Sequence, residues 1–443
     1  MPTSIPVRLS ISVCFLVFCI TLCCAVSIAF PQDFQFDESG EIVAYTNCER
    51  HDLTVLSYTE NVVILRLTIA DLFRDNSWSP LNSINPIPQA SFRQLSFPPK
   101  GEFIAFRAEG IGECYSGIFN VKFKRTIGLH FGGSKTFEFS PDGKWLVTSE
   151  IGGNSLIPFR EYPNFRPVLR AESSSFYFSQ DCKLIAMCMD VDVQNGKQLT
   201  EIQIFQLPNE AEVVKQVRNN AKVELELIKQ FRYEGHARDL RFSPDNKWLL
   251  WKGWPVADVY GNRPFMARIH AADSQVQEIK IEDELKFWGD VCFAGTESDY
   301  FILAQKTGEI DGKNRVSIWR KPLDLKTPAQ LVVSKPGSCS YPIEVNNAGT
   351  HALVPIEITT GGGLGFYSDA EAASFGGSQI FLIDLANIKE VRGFSQDGRH
   401  VKFNPAKPTV VMRVGDRFSE YDLTGNPVAN DELPTTPEAR TKR

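Results

Sequence analysis

One short unit recurs along the chain, and it limits what the chain can fold into. It is clearest as Phe137-Glu-Phe-Ser-Pro-Asp-Gly-Lys-Trp-Leu-Val147 and again as Leu240-Arg-Phe-Ser-Pro-Asp-Asn-Lys-Trp-Leu-Leu250. Looser copies begin at Phe34, Leu95 and Phe176, and degenerate ones at Val291 and Ile343. The last copy has two readings. Phe394-Ser-Gln-Asp-Gly398 matches by letters, whereas the stretch from Val401 to Val411 fits the strand order better. Every copy has the same physical grammar: an apolar strand ending at an aromatic, a reversal, and a second apolar strand. Pro presets φ in the reversal, Asp bonds nearby backbone, and Gly tolerates positive φ. That is a β-hairpin. A third strand with alternating apolar residues follows most copies, as at Ile202–Leu207, Val316–Arg320, Ile380–Leu385 and Phe418–Leu423. A weaker fourth strand, such as Leu227–Arg232, precedes the next copy.

Eight copies fit between Phe34 and Val428. A four-stranded antiparallel sheet repeated this often buries its faces by standing as radial blades around an axis. The expected fold is therefore all-β, a β-propeller of four-stranded antiparallel blades. Eight blades are expected, or seven if one degenerate copy is a false match. The uneven spacing of the copies places insertions in loops. One insertion, Asn209–Lys222, carries Val213, Val214 and Val217 at helical spacing and predicts a short helix between a third and a fourth strand. The length of 443 residues suits one large all-β domain.

The first residues have a separate character. No charge occurs between Arg8 and Asp33, and the run Ser10–Phe30 is mostly apolar with Ala25, Ser27 and Ala29 near its end. This is the layout of a secretory signal peptide cut after Ala29. The rival is an uncleaved membrane anchor, because such a run is long enough to span a bilayer. The expected division is signal or anchor over 1–29, propeller over 30–432 and a disordered tail over 433–443. The propeller is expected to be extracytoplasmic, secreted or periplasmic. Six cysteines follow the leader: Cys48, Cys114, Cys182, Cys188, Cys292 and Cys339. They permit up to three disulfides, and the alternative is free thiols inside strands. No Cys or His spacing suggests zinc.

The motifs resemble those of known propeller families. Gly235-His236 followed by Phe242-Ser-Pro-Asp245 resembles the start of a WD repeat, and Phe418–Val428 resembles a WD third strand with its exit. The Phe-Ser-Pro-Asp-Gly type is also similar to the repeats of TolB-like propellers of bacterial envelopes. Only one copy has the Gly-His pair, and the Trp-Asp pair of WD repeats is replaced by Tyr421-Asp422 and Ile383-Asp384. Both families imply a scaffold that binds other molecules, mostly proteins, and neither implies catalysis.

In the WD arrangement the loops between second and third strands share a face with the connections between blades. Long loops of that kind are expected at about 151–158, 190–200, 253–264, 306–315 and 358–378. Two carry aromatic anchors of the type found at interaction surfaces: Trp254, Tyr260 and Arg263 in one, Phe366 and Tyr367 in the other. The Gly361–Gly365 cluster lacks the strand-to-helix context of a phosphate loop. No Gly-x-Ser-x-Gly or His-Glu-x-x-His occurs. The net charge of -6, from 47 basic and 53 acidic residues, gives no nucleic-acid footprint. The expectation is a monomeric, non-enzymatic scaffold for a protein partner. It needs no cofactor or metal, has no nucleic-acid role, and meets a membrane only through an N-terminal anchor. Two alternatives stand beside it: a propeller enzyme (glycan lyase, hydrolase or oxidoreductase) with acidic or His groups at the channel mouth, and a small-ligand or metal sensor.

Overall fold

The computed structural model describes residues 34–428 apart from connecting segments, of which 72–90, 160–166, 255–262, 281–288 and 358–377 are the longest. The leader, the tail, Cys48 and Cys339 lie outside the described residues. Among the described residues no helix is long and apolar enough to cross a membrane.

The repeat unit folds into eight successive antiparallel sheets. The first blade holds β1 (Phe34–Phe36), β2 (Ile42–Asn47), β3 (Asp52–Ser57) and β4 (Val62–Thr68). The second holds β5 (Ser91–Ser96), β6 (Phe103–Gly110), β7 (Glu113–Asn120) and β8 (Arg125–Phe131), and the third β9 (Thr136–Phe139), β10 (Trp145–Glu150), β11 (Gly153–Pro158) and β12 (Leu169–Ala171). The fourth holds β13 (Ser174–Phe178), β14 (Leu184–Gln194), β15 (Lys197–Gln206) and β16 (Glu226–Glu234), with the expected helix α1 (Glu210–Arg218) between β15 and β16. Asn209 caps α1 by accepting the Ala211 N–H at 2.9 Å. The fifth blade holds β17 (His236–Phe242), β18 (Trp248–Trp254), β19 (Arg263–Arg268) and β20 (Gln277–Glu278). The sixth holds β21 (Gly289–Ala294), β22 (Tyr300–Ile310), β23 (Lys313–Pro322) and β24 (Gln330–Pro336). The seventh holds β25 (Glu344–Val345), β26 (His351–Glu357), β27 (Ser378–Asp384) and β28 (Lys389–Ser395). The eighth is β29 (Val401–Phe403), β30 (Thr409–Val414) and β31 (Arg417–Asp422), its outer strand reduced to a bridge between Tyr421 and Pro427. Val401 thus opens the last unit, and Phe394 belongs to an outer strand.

The turn chemistry explains why each unit reverses where it does. Ser140 Oγ donates to Asp142 Oδ1 at 2.7 Å and accepts the Trp145 N–H at 2.9 Å, while Asp142 Oδ1 also accepts the Lys144 N–H. The same lattice recurs through Ser179, Asp181 and Leu184, and through Ser243, Asp245 and Trp248. One residue in each turn sits at positive φ: Gly143, Cys182 and Asn246. Gly and Asn adopt that region readily, so the Gly/Asn alternation in the repeat follows from backbone geometry. Adjacent turns also meet, as where the Asp142 N–H donates to Cys182 Sγ at 3.2 Å.

The core lies between blades rather than inside any one. Eight apolar clusters fill the eight junctions. One of them closes the ring: Phe34, Tyr45 and Tyr58 of the first blade pack around Phe418 and Val411 of the last. Phe418 meets Phe34, Tyr45 and Tyr58 edge-on with centroids 5.6 to 5.9 Å apart. Among the described residues, closure uses packing, and β1 pairs with β2 alone. The Val428 N–H donates to the Glu420 carbonyl, so the chain after β31 starts the outer edge of its own blade.

Candidate functional site

Three of the five expected long loops are strands instead. Residues 153–158 form β11, and the segments 190–200 and 306–315 fall within the β14–β15 and β22–β23 hairpins. Strand pairing satisfies their backbone groups, which a loop would have left to solvent. These two hairpins are long. The inner strand β13 ends opposite Met189, yet β14 runs on to Gln194 and pairs there with Lys197. Gly289 of β21 ends opposite Gln305, yet β22 runs on to Ile310, opposite Lys313. At a strand rise of about 3.3 Å per residue each tip projects roughly 16 Å past its inner strand. The fifth blade sits between them with β17 and β18 ending flush, His236 opposite Trp254. The described strands thus outline a saddle, with two raised sides and the ends of β17 and β18 between them; residues 255–262, which join β18 to β19 at this rim, lie outside the described residues.

Trp254 and Arg263 stand at that rim. Tyr260, Phe366 and Tyr367 lie outside the described residues. Trp254 is half-buried, and the Arg238 guanidinium sits over its indole, 5.1 Å from the ring centroid. The pair is a diagonal cross-strand contact, since Arg238 is two residues along from Trp254's partner. Arg263 begins β19 opposite Gly253, and its Nη1 lies 3.3 Å from Glu278 Oε1. Two glycines make this rim. A Cβ on Gly235, whose φ is +129°, would lie 2.0 Å from the Trp254 carbonyl oxygen; one on Gly253 would lie 2.6 Å from the Tyr233 hydroxyl.

His236 faces the preceding blade, with Nδ1 3.3 Å from Asp190 Oδ2. Thr200 ties the same corner together. Its Oγ1 is 2.6 Å from the Gly235 carbonyl and accepts the Ala237 N–H at 3.2 Å.

Below the rim lies a polar cluster that the sequence did not announce. Asp290 of β21 is buried, and its Oδ2 accepts from Arg241 Nη2 at 2.9 Å and from the Ile343 N–H at 2.7 Å. Its Oδ1 is 3.2 Å from Lys252 Nζ, which also contacts Asp239 Oδ2 at 2.5 Å. Three blades are joined at one carboxylate. Burial alone would raise the Asp290 pKa, but Arg241, Lys252 and the Ile343 amide hold it below the usual carboxylate range. The pairs of inner strands continue this belt: the Asp239 N–H donates to the Tyr177 hydroxyl, and the Phe403 N–H to Glu344 Oε1.

Glu138, on inner strand β9, alternates with buried Phe137 and Phe139 and reaches solvent. The surrounding protein pushes its carboxyl up to about 7. Cys182, Cys188 and Cys292 are free thiols, and burial pushes the Cys188 thiol up to about 11. Among the described residues no three His, Cys, Asp or Glu side chains gather as a metal-ligand set.

Known structures share this architecture. The chain superposes on a eukaryotic initiation factor with a TM-score of 0.52 and 12% identity, over 91% of this chain and 88% of that one. It superposes on the dihydro-heme d1 dehydrogenase NirN in complex with DHE with a TM-score of 0.50 and 16% identity, over 91% of this chain and 75% of that one. At such identities these likenesses establish the fold alone. No family model matches the chain, and no curated protein matches it.

Proposed function

We propose that this propeller is an extracytoplasmic, non-enzymatic interaction scaffold of the WD-repeat and TolB-like kind, and that it takes a protein partner on the saddle of blade five. The observation that carries the reading is Arg238 stacked on half-exposed Trp254 between two projecting hairpins. Trp and Arg are the residue types on which binding energy concentrates at interfaces, and raised sides exclude water from such anchors. Truncating an anchor of this kind costs on the order of 2 kcal/mol or more, and every 1.4 kcal/mol is tenfold in affinity. The mature protein immobilised against an extract of its source is therefore expected to retain a protein partner that Trp254→Ala releases at least about tenfold more readily. Lys247→Ala, on the turn at the far end of β18, is expected to retain it. Equal retention by the two variants would contradict this placement.

Glu138 favours a second reading, an enzyme working from the channel. A carboxyl held near neutrality suits general acid–base work. Hydrolysis or elimination of an offered glycan, abolished by Glu138→Gln, is the result that would favour it over the scaffold.

A further inference from the structure

The face of the Ser–Asp reversals, opposite the saddle, carries one turn unlike its neighbours. Residues 121–124 join β7 to β8 beyond the pair Asn120–Arg125. The turn lies beside the β5–β6 reversal, where the Val121 N–H donates to the Glu102 carbonyl at 2.9 Å. The Phe123 N–H donates to Asn120 Oδ1 at 2.8 Å, and Lys124 takes the left-handed conformation at φ +50°. So held, the turn sends its two apolar residues to opposite sides. Val121 is buried in the cluster between the first and second blades, while Phe123 is 64% exposed at the crest.

A single exposed Phe calls for no explanation, but its setting does. Lys122, Lys124 and Arg125 surround it, and all three are exposed. Lys122 Nζ lies 5.8 Å from the ring centroid and the Arg125 guanidinium carbon 5.7 Å. No acidic residue occurs between Glu113 and Glu138, and among the described residues no carboxylate pairs with any of the three cations. Other turns of this face balance their charge. Lys144, Lys183 and Lys247 each pair with the Asp of their own turn, at 2.9 to 3.2 Å. The turns that follow the third strands of blades six and seven carry Asp324 and Asp384.

Unpaired cations around an exposed ring are complementary to an anionic bilayer. The cations meet lipid phosphates, and the ring enters the boundary between headgroups and acyl chains. A stable protein interface buries about 1,200 Å² or more around an apolar centre. One ring on the crest of a turn is a point of insertion instead.

We propose that the β7–β8 turn docks the propeller on a membrane containing anionic phospholipid, with Phe123 entering the interface and Lys122, Lys124 and Arg125 against the phosphates. This contact is separate from the saddle, on the other face of the ring, and from any N-terminal anchor.

The test is a titration of the mature protein with vesicles of phosphatidylcholine alone and of phosphatidylcholine mixed with phosphatidylglycerol, read by co-sedimentation. Binding is expected on the mixed vesicles, weakening as salt is raised, and is expected to be much weaker on the neutral ones. Lys122→Gln and Arg125→Gln are each expected to lower the partition coefficient about fivefold, the share of one charge near an anionic surface. Phe123→Ser is expected to lower it about fivefold or more. Trp254→Ala is expected to leave it unchanged. The three turn residues are exposed, so unaltered melting curves separate lost binding from lost folding. Equal binding to the two kinds of vesicle, or unchanged binding by Phe123→Ser, would overturn the proposal. So would absence of binding to the mixed vesicles at physiological salt; retention of polyglutamate by the same protein would then assign the turn to an acidic protein.

Discussion

Replacing Asp290 with alanine is expected to destabilise the ring by about 3–5 kcal/mol, the cost of leaving the largely covered Arg241 guanidinium without its counter-ion and Lys252 with Asp239 alone. Arg241 and Lys252 converge on this one carboxylate, and the Ile343 amide loses its acceptor as well. The direction of the pH dependence follows from the lowered pKa. A carboxylate held below its unfolded value contributes its full stabilisation above that value, near 3.9, and loses it as pH falls through the lower folded value. Urea melts of wild type and Asp290→Ala are therefore expected to differ widely at neutral pH and to converge under strongly acid conditions. Arg241→Met combined with Asp290→Ala is expected to recover part of the loss, because the double variant no longer buries an unpaired guanidinium. A single-variant loss under about 1 kcal/mol would show that the cluster is a solvated surface network.

Phe418→Ala is the second large effect, about 3–5 kcal/mol by the usual cost of an aromatic truncation in a packed core. Phe418 is 3% exposed and contacts three rings of the first blade. No strand is exchanged between the first and last blades among the described residues, so this cluster is what holds the ring shut. Hydrogen exchange should register the damage locally, with β1, β30 and β31 losing protection while the junction of blades four and five keeps it. Uniform loss across all blades would mean that the ring unfolds only as a whole; protection unchanged at β1 and β31 would mean that closure rests elsewhere.

Much of this architecture was legible in the sequence because its determinants are local. Ser, Asp and the Gly or Asn at positive φ lie within a few residues of one another, so each reversal is written out in order. The projecting hairpins are legible too, in their turn residues. Asn195-Gly196 joins paired Gln194 and Lys197, and Asp311-Gly312 joins paired Ile310 and Lys313, the two-residue sequences that favour tight hairpins. The alternation Val191-Asp-Val193 before the first of these is likewise a strand pattern.

The polar belt was not legible. Asp290, Arg241, Lys252 and Asp239 come from three strands of two blades, and only the register of β17 against β18 and the packing of β21 beside them brings the charges together. The candidate site stands between these cases. Trp254 and Arg263 could be named from residue type and position. Arg238 could not, because its contact with Trp254 depends on the bulge between Arg238 and Arg241 and on the two glycines that let the strands close up at the rim.

The most direct measurement is site-specific photo-crosslinking on the intact mature protein. A photoreactive residue would be placed singly at His236, opposite Trp254 on the rim, at Arg263 and, on the far face, at Lys247. The account predicts a discrete protein adduct from the two rim positions and none from Lys247. Adducts from Lys247 alone, or the same adducts from all three positions, would contradict it.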